Sequence, residues 1–459
     1  MLTVEKIGGT SMSQFKDVLN NIIGNRDKDN LYGRVFVVSA YGGVTNWLLE
    51  HKKTGEPGVY EKFVGNENYS VALDDVLKKL KAINKKYTDI KLDVDIADEF
   101  ITDRVNHAKN YLKSLSDVLA TGYVSKQNIL LAAREILASL GEAHSAFNSV
   151  NILKNNGINS TFVDLCGFND SDFLTIDERI NRTFRNINPE TTIPIVTGYT
   201  KGTEGIMREF DRGYSEVSFS KIAVELKADE AIIHKEYHLS SADPNIVGVE
   251  NSIPVGATNY NVADQLADIG MEAIHPKAAK PLEMNGINIR IKNTFEPNHP
   301  GTVISNEYVG EESRVEIISG TDKVIAIEIH DPSMVGEVGF DLEIMEIFRK
   351  YRVSYILKST NANSITQVIW EKDNHIALVK ELRDAFYEVT IKEVAMICTM
   401  GTNIAHPGIL AKATLALAEN KINVESLSQS LKQVNMQFVI NRHDYKNAII
   451  ALNNALCVE

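Results

Sequence analysis

Cysteine is scarce in this chain: 459 residues contain three, Cys166, Cys398 and Cys457. They are odd in number, far apart and outside any metal-ligand spacing, which argues against a disulfide framework and a protein-held metal and fits a reducing compartment. No stretch approaches the ~20 consecutive apolar residues that a membrane-spanning helix needs. The opening residues Met1-Leu2-Thr3-Val4-Glu5-Lys6 lack the basic and apolar regions of a secretory signal. Together these absences predict a cytoplasmic protein without a membrane partner. Basic side chains are also in deficit: 48 Lys and Arg stand against 61 Asp and Glu, a net charge of −13, with no local basic patch. That balance repels polyphosphate backbones and speaks against a nucleic-acid partner.

What remains is ordinary globular composition, 44% hydrophobic and 24% charged. At ~150 residues per domain, the length implies about three compact units. Short β-branched runs at Leu2 to Ile7, Val35 to Ser39, Ser160 to Asp164, Ile193 to Thr197, Glu230 to His234 and Ile287 to Ile291 predict strands. Amphipathic stretches at Phe15 to Ile23, Gln127 to Asn155 and Phe219 to Leu226 predict helices between them. Such alternation builds an α/β fold, a largely parallel sheet between helix layers. A charged helical stretch at about 74–121 interrupts the rhythm as an inserted subdomain would. The turn formers Pro297-Asn298-His299-Pro300-Gly301-Thr302 place the end of this first domain near residue 304.

Beyond it the order strand, helix, strand, strand, helix runs twice, offset by roughly 70 residues, which predicts two α+β units at 320–388 and 390–459. Repeats of this kind join side by side and create ligand sites at their seam.

Four short constellations carry the chemistry. The first is Lys6-Ile7-Gly8-Gly9-Thr10-Ser11, a strand ending in a lysine and two glycines before a helix. Glycines let backbone N–H groups approach phosphate and a lysine adds a mobile positive charge, although a plain tight turn uses the same glycine pair. The lysine precedes the glycines, so this is not a Walker A loop. The second is Ser39-Ala40-Tyr41-Gly42-Gly43-Val44-Thr45, the third Ser139-Leu140-Gly141-Glu142, and the fourth Thr197-Gly198-Tyr199 with 208–218 downstream.

In this order, and followed by two C-terminal repeats that resemble ACT domains, these motifs closely resemble the aspartate kinase branch of the amino acid kinase family. The resemblance covers essentially the whole chain. It implies an amino acid kinase fold followed by two ACT domains, ATP and Mg²⁺ as cofactors, L-aspartate as substrate, and transfer of phosphate to the aspartate side-chain carboxylate as the opening step of aspartate-family amino acid or ectoine biosynthesis. Carried over residue by residue, it implies Lys6 as the catalytic cation, held by Glu216, with Gly8 and Gly9 cradling ATP phosphates. Lys235, Tyr237, Asp243 and Lys277 fall at nucleotide-contacting positions. Ser39, Thr45 and Ser215 fall at substrate-orienting positions, Glu142 opposite the substrate ammonium and Arg212 on its α-carboxylate; an arginine fork and a glutamate would select a zwitterion. His234 and His275 read as structural. In the first ACT repeat, Met334, Gly336, Ser359 and Asn361 match effector positions, and the family's paired ACT domains imply a homodimer or larger assembly and an amino-acid effector.

Departures matter too. Around Arg212, Asp211 and Tyr214 replace glycines and Glu216 an aspartate; Lys358 stands where glutamine is usual. This pattern is similar to the aspartokinases associated with ectoine biosynthesis. Another amino acid kinase, or a degenerate kinase acting as an amino-acid sensor, are the alternative readings.

Overall fold

The computed structural model describes residues 1–458 except 25–29, 52–53, 211–212, 272 and 373–374. In chain order the strands are β1 (Thr3–Ile7), β2 (Arg34–Val38), β3 (Ser160–Val163), β4 (Ile193–Thr197), β5 (Glu230–Lys235), β6 (Ala257–Asn259), β7 (Asn288–Asn293) and β8 (Thr302–Ser305). They are followed by β9 (Ile317–His330), β10 (Tyr355–Thr360), β11 (Ser364–Trp370), β12 (Glu388–Met400), β13 (Val424–Ser428) and β14 (Asn435–Asn441). The chain divides into two compact units, Met1–His238 with Lys277–Gly301, and Leu239–Pro276 with Thr302–Glu459.

The first unit is built on an all-parallel sheet in the order β3-β4-β2-β1-β5-β7. All five residues of β2 and of β4 are buried. Continuous apolar strands covered on both faces are what a parallel sheet requires. The 30-residue helix Lys126–Asn155 supplies a long stretch of that cover. Gln127 to Asn155 was legible as this helix, and the region 74–121 forms two helices, Tyr69–Lys86 and Val94–Thr121. A fully buried polar cluster ties them down: His144 Nε2 lies 2.7 Å from Asn84 Oδ1, and Asn148 Nδ2 donates to the same oxygen at 2.8 Å. Tyr87 caps the join by donating to the Met12 carbonyl. Phe15 to Ile23, expected as one α-helix, is instead a three-residue α-turn that widens into a π-helix at Val18–Ile23.

A buried charge cluster joins β1, β2 and β5. Arg34 grips Glu5 through Nε at 2.6 Å and Nη2 at 2.9 Å, and His234 Nε2 meets the second Glu5 oxygen at 2.7 Å. Burial alone would raise the Glu5 carboxyl, but Arg34 and the His234 hydrogen bond outweigh it and hold the group well below the usual carboxylate range. His234 is thus engaged inside the fold.

The second unit holds the short parallel pair β6–β8 and one antiparallel sheet in the order β10-β11-β9-β12-β14-β13. The repeat expected from sequence is present in its two cores: one gathers Ile325, Ile327, Ile344, Phe348, Val379 and Leu382, the other Ile318, Ile397, Ala413, Leu417, Phe438 and Leu452. The cores are not built by two separate segments, however. β9 pairs with β11 along Val324–His330, and its earlier half, Ile317–Thr321, pairs with Met396–Met400 of β12. β12 in turn serves the first core through Glu388–Val394 and the second through its pairing with β14. Each of these long strands therefore runs through both lobes, and the expected break at 388–390 falls within β12.

Candidate active site

The carboxyl ends of β1 and β2 lie side by side, the Ser39 amide donating to the Ile7 carbonyl at 3.1 Å. In an open parallel sheet this is the end where ligands bind. β1 delivers Lys6, whose Nζ lies 3.0 Å from Glu216 Oε1; both side chains are nearly buried. Gly8 then caps the short helix Gly9–Met12. The two glycines differ in what demands them. A Cβ on Gly9 would sit 2.8 Å from the Ala40 carbonyl oxygen, so no larger residue fits between the two turns, whereas one on Gly8 would meet nothing nearer than 3.8 Å. Gly9 is required by packing; at Gly8 a side chain would make only ordinary contacts, with the His234 carbonyl and Glu236.

The turn after β2 is pressed against the Lys126–Asn155 helix. Ser145 donates to the Ser39 carbonyl at 2.8 Å, and a Cβ on Gly141 would lie 2.6 Å from the Ala40 Cβ and 3.1 Å from Val44 Cγ1. Glycine at 141 lets the helix come close enough to bring Glu142 to the strand ends. Glu142 is 2% exposed, and the Tyr214 hydroxyl donates to its Oε1 at 2.9 Å. Its other oxygen, Oε2, is buried without a hydrogen-bond partner. Burial pushes the carboxyl up to about 7, against the Tyr214 hydrogen bond, which pulls it down. Thr45 stands beside the Tyr214 phenol and lowers its pKa slightly against the burial that raises it well above the usual value. Ser215, next along the helix Tyr214–Glu225, packs on Gly198, where a Cβ would lie 2.8 Å from its hydroxyl.

The fold thus brings together Lys6, Glu216, Gly8, Gly9, Ser39, Thr45, Glu142 and Ser215 from the expected set. Arg212 lies outside the described residues. Lys277 belongs to the same unit: it donates to the Glu209 carbonyl at 2.8 Å and stands over the Phe210 ring at 5.0 Å. Lys235 ends β5, where its carbonyl accepts from the Thr294 amide, and Tyr237 is exposed two residues on. Asp243 falls in the second unit and caps the Pro244–Val247 turn of helix, accepting from the Asn245 amide. Among the effector candidates, Met334 is buried in the first lobe's core, while Ser359 and Asn361 flank the end of β10. Lys358 is ion-paired with Asp341 from the first turn of the Phe340–Tyr351 helix.

Sequence reasoning registered Tyr214 only as a departure from a glycine, placed Tyr199 in a motif without giving it a role, and missed Glu135. The Tyr199 hydroxyl donates to Glu135, and its ring meets that of Tyr214 edge-on at 5.9 Å, so a row of polar tips runs Glu135, Tyr199, Tyr214, Glu142. The one available signal was the seven-residue spacing of Glu135 and Glu142, two turns apart on one helix face. Among the described residues, no group of three or more His, Cys, Asp or Glu side chains is placed to hold a metal ion, and no helix is long and apolar enough to cross a membrane.

Residues 1–293 match the amino acid kinase family model and 397–456 an ACT domain model. The chain is 46% identical to the aspartate kinase Ask_Ect of Stutzerimonas stutzeri, over 99% of this chain and 97% of that protein, and 25% identical to the chloroplastic aspartokinase 1 of Arabidopsis thaliana, over 98% and 79%. In fold it is similar to the aspartate kinase of Clostridium acetobutylicum, with a TM-score of 0.74 at 22% identity, covering 99% of this chain and all of that one. It is likewise similar to E. coli aspartokinase III in complex with lysine and aspartate, with a TM-score of 0.70 at 19% identity and 99% of both chains covered. With a catalytic-family match across more than half its length and close identity throughout, the chain belongs to the amino acid kinase family, among the aspartate kinases that carry ACT domains.

Proposed function

We propose that this protein catalyses transfer of the γ-phosphoryl group of MgATP to the side-chain carboxylate of L-aspartate, giving 4-phospho-L-aspartate and ADP. The observation that carries the reading is the meeting of Lys6 with Glu216 at the carboxyl end of β1, beside a turn that holds Ser39 and a helix that holds Glu142. An aspartate carboxylate, with a reference pKa of ~3.9, is already an ionised nucleophile at neutral pH, so no general base is needed. One carboxylate oxygen attacks the γ-phosphorus as the bond to the β–γ bridging oxygen breaks, and the electron pair leaves on ADP. The protein's part is to align these atoms and neutralise charge on the transferring group. Lys6 supplies that charge from a position fixed by Glu216, with the Gly8 and Gly9 backbone assigned to the ATP phosphates. The metal arrives bound to the nucleotide. Lys235, Tyr237, Asp243 and Lys277 are assigned to the nucleotide, and Ser39, Thr45 and Ser215 to substrate orientation. Glu142 and Arg212 hold the aspartate ammonium and α-carboxylate.

Residues 1–304 form the catalytic domain in this reading. The lobes at 320–388 and 390–459 bind a small amino-acid effector or assemble the enzyme as a homodimer or larger oligomer, within the cytoplasm. The decisive experiment traps the acyl phosphate with hydroxylamine in the presence of MgATP and a panel of amino acids. Hydroxamate with aspartate alone supports the reading; product only with glutamate or N-acetylglutamate, or none at all, sinks it.

A further inference from the structure

Glu142 combines features that rarely coexist. It is inside the fold, one oxygen accepts from Tyr214, and the other accepts no hydrogen bond of good geometry. An unsatisfied buried carboxylate oxygen is costly, and such groups call for a physical reason. The bonded side is held by a residue that is itself locked. Tyr214 is 3% exposed, follows Gly213 in the left-handed conformation at the start of its helix, and packs edge-on against Tyr199. Its oxygen has little freedom to point elsewhere.

We infer that Tyr214 is a positioning residue for the amino-acid substrate: by donating to Glu142 Oε1 it fixes the carboxylate's orientation and keeps Oε2 available to accept from the substrate's α-ammonium. This rests on the assignment of Glu142 to that ammonium. A glycine at 214 would leave the carboxylate to be oriented by water or by substrate; here the orientation is in place beforehand, and preorganised partners lose less freedom on binding. The same hydrogen bond favours the ionised form, which the ammonium requires. Beside the Tyr214 bond, the Ala40 amide and Glu142's own amide make lesser contributions to the ionised form, and the side chains around Glu142 do not compete for this role. Cys166, from the loop after β3, is a buried thiol pushed well above its usual range. His144, two residues along the same helix, is bonded to Asn84 and held neutral by burial. Glu135 is engaged by Tyr199 and the Met207 amide. Lys6 and Glu216 hold one another.

The test is a double-mutant cycle of Tyr214→Phe and Glu142→Gln, with kcat and KM for aspartate and for ATP measured across pH 5.5 to 9. Phenylalanine keeps the ring packing and removes only the donor. Tyr214→Phe should raise the aspartate KM about threefold to tenfold at pH 7 with kcat and the ATP KM within about twofold. It should move the acid limb of kcat/KM for aspartate to higher pH by roughly half to one unit, a change that disappears in the Glu142→Gln background. If Glu142→Gln raises the aspartate KM while Tyr214→Phe moves neither KM nor the acid limb, the inference is overturned and the site assignment stands. A shift that persists in the Glu142→Gln background would also overturn it, since Tyr214 would then act on another group. An unchanged aspartate KM in Glu142→Gln alone removes the assignment on which the inference rests.

Discussion

Lys6 and Glu216 are separated by 210 positions in the chain and meet at 3.0 Å. The contact joins the end of the first strand to the first turn of the helix Tyr214–Glu225. An aspartate, the family's usual residue here, is one methylene shorter, so the lysine ammonium is held on a longer arm in this chain.

Lys6→Ala should lower kcat by about 10²- to 10³-fold, the usual loss when one stabilising group is removed from a developing charge. The urea midpoint should fall as well, because Lys6 and Glu216 are nearly buried and the truncation takes this partner from the Glu216 carboxylate. Steady-state kinetics and urea melts on the same preparation decide the matter; near-normal turnover removes Lys6 from the mechanism.

Gly141→Ala tests the close approach of helix and turn. The added methyl must displace Ala40 or Val44, which lie 2.6 and 3.1 Å from where it would sit. Overpacking of this kind costs about 1–3 kcal/mol. Because the displaced helix carries Glu142, the aspartate KM should rise along with the loss of stability. A variant as stable as the parent would show that the helix is not pinned there.

Glu142→Gln should separate stability from substrate binding. The folded-state pKa of Glu142 is raised, to about 7 from an ordinary 4.5. Its contribution to stability is therefore present below pH ~4.5 and is lost as pH rises through 7. Glutamine removes that titration. At pH 8 the variant should be more stable than the parent by about 1–2 kcal/mol while binding aspartate more weakly, and between pH 5 and 8 its stability should fall less steeply. Parallel pH profiles from urea melts would contradict the burial of an ionisable Glu142.

Arg34→Met would leave Glu5 in the core without its bidentate partner. Breaking a buried pair by removing one member costs about 3–5 kcal/mol. The sign with pH follows from Glu5, whose folded-state pKa is depressed: its stabilisation holds above the ordinary carboxylate range and is lost only as pH falls through the lowered value. Without Arg34 that value climbs, so acid unfolding monitored by circular dichroism should begin at higher pH. An unshifted acid midpoint would mean that His234 alone suffices to hold Glu5 ionised.

Much of the first unit was readable because its strands are short β-branched runs that tolerate few alternatives; β1, β4 and β5 lie where alternation and burial placed them. The Lys6, Ser39 and Glu142 motifs were readable because each is local, a few residues around a glycine. The pairing of Tyr214 with Glu142 was not. The two are 72 positions apart, and nothing in either neighbourhood points to the other. The length of β9 was hidden for a different reason. Asp322 and Lys323 are polar and unlike strand interior, yet they are a solvent-facing irregularity inside one strand, where pairing with β12 slips between Val394 and Met396. A bulge accommodates such polar residues without ending the strand. Likewise Met334, matched to an effector position by resemblance, has its side chain in the first lobe's core, a direction that a motif does not record.

The sharing of β9 and β12 fixes an order of events during synthesis. Ile317–Thr321 leaves the ribosome before any residue of the first lobe, but its partner, Met396–Met400, comes only after that lobe's last helix. The early half of β9 must wait with an unpaired edge while everything between is made. Neither lobe can then be cut out as a self-sufficient module: ending the chain at residue 388 would remove the strand that closes the first sheet, and starting it at 390 would remove the one that closes the second.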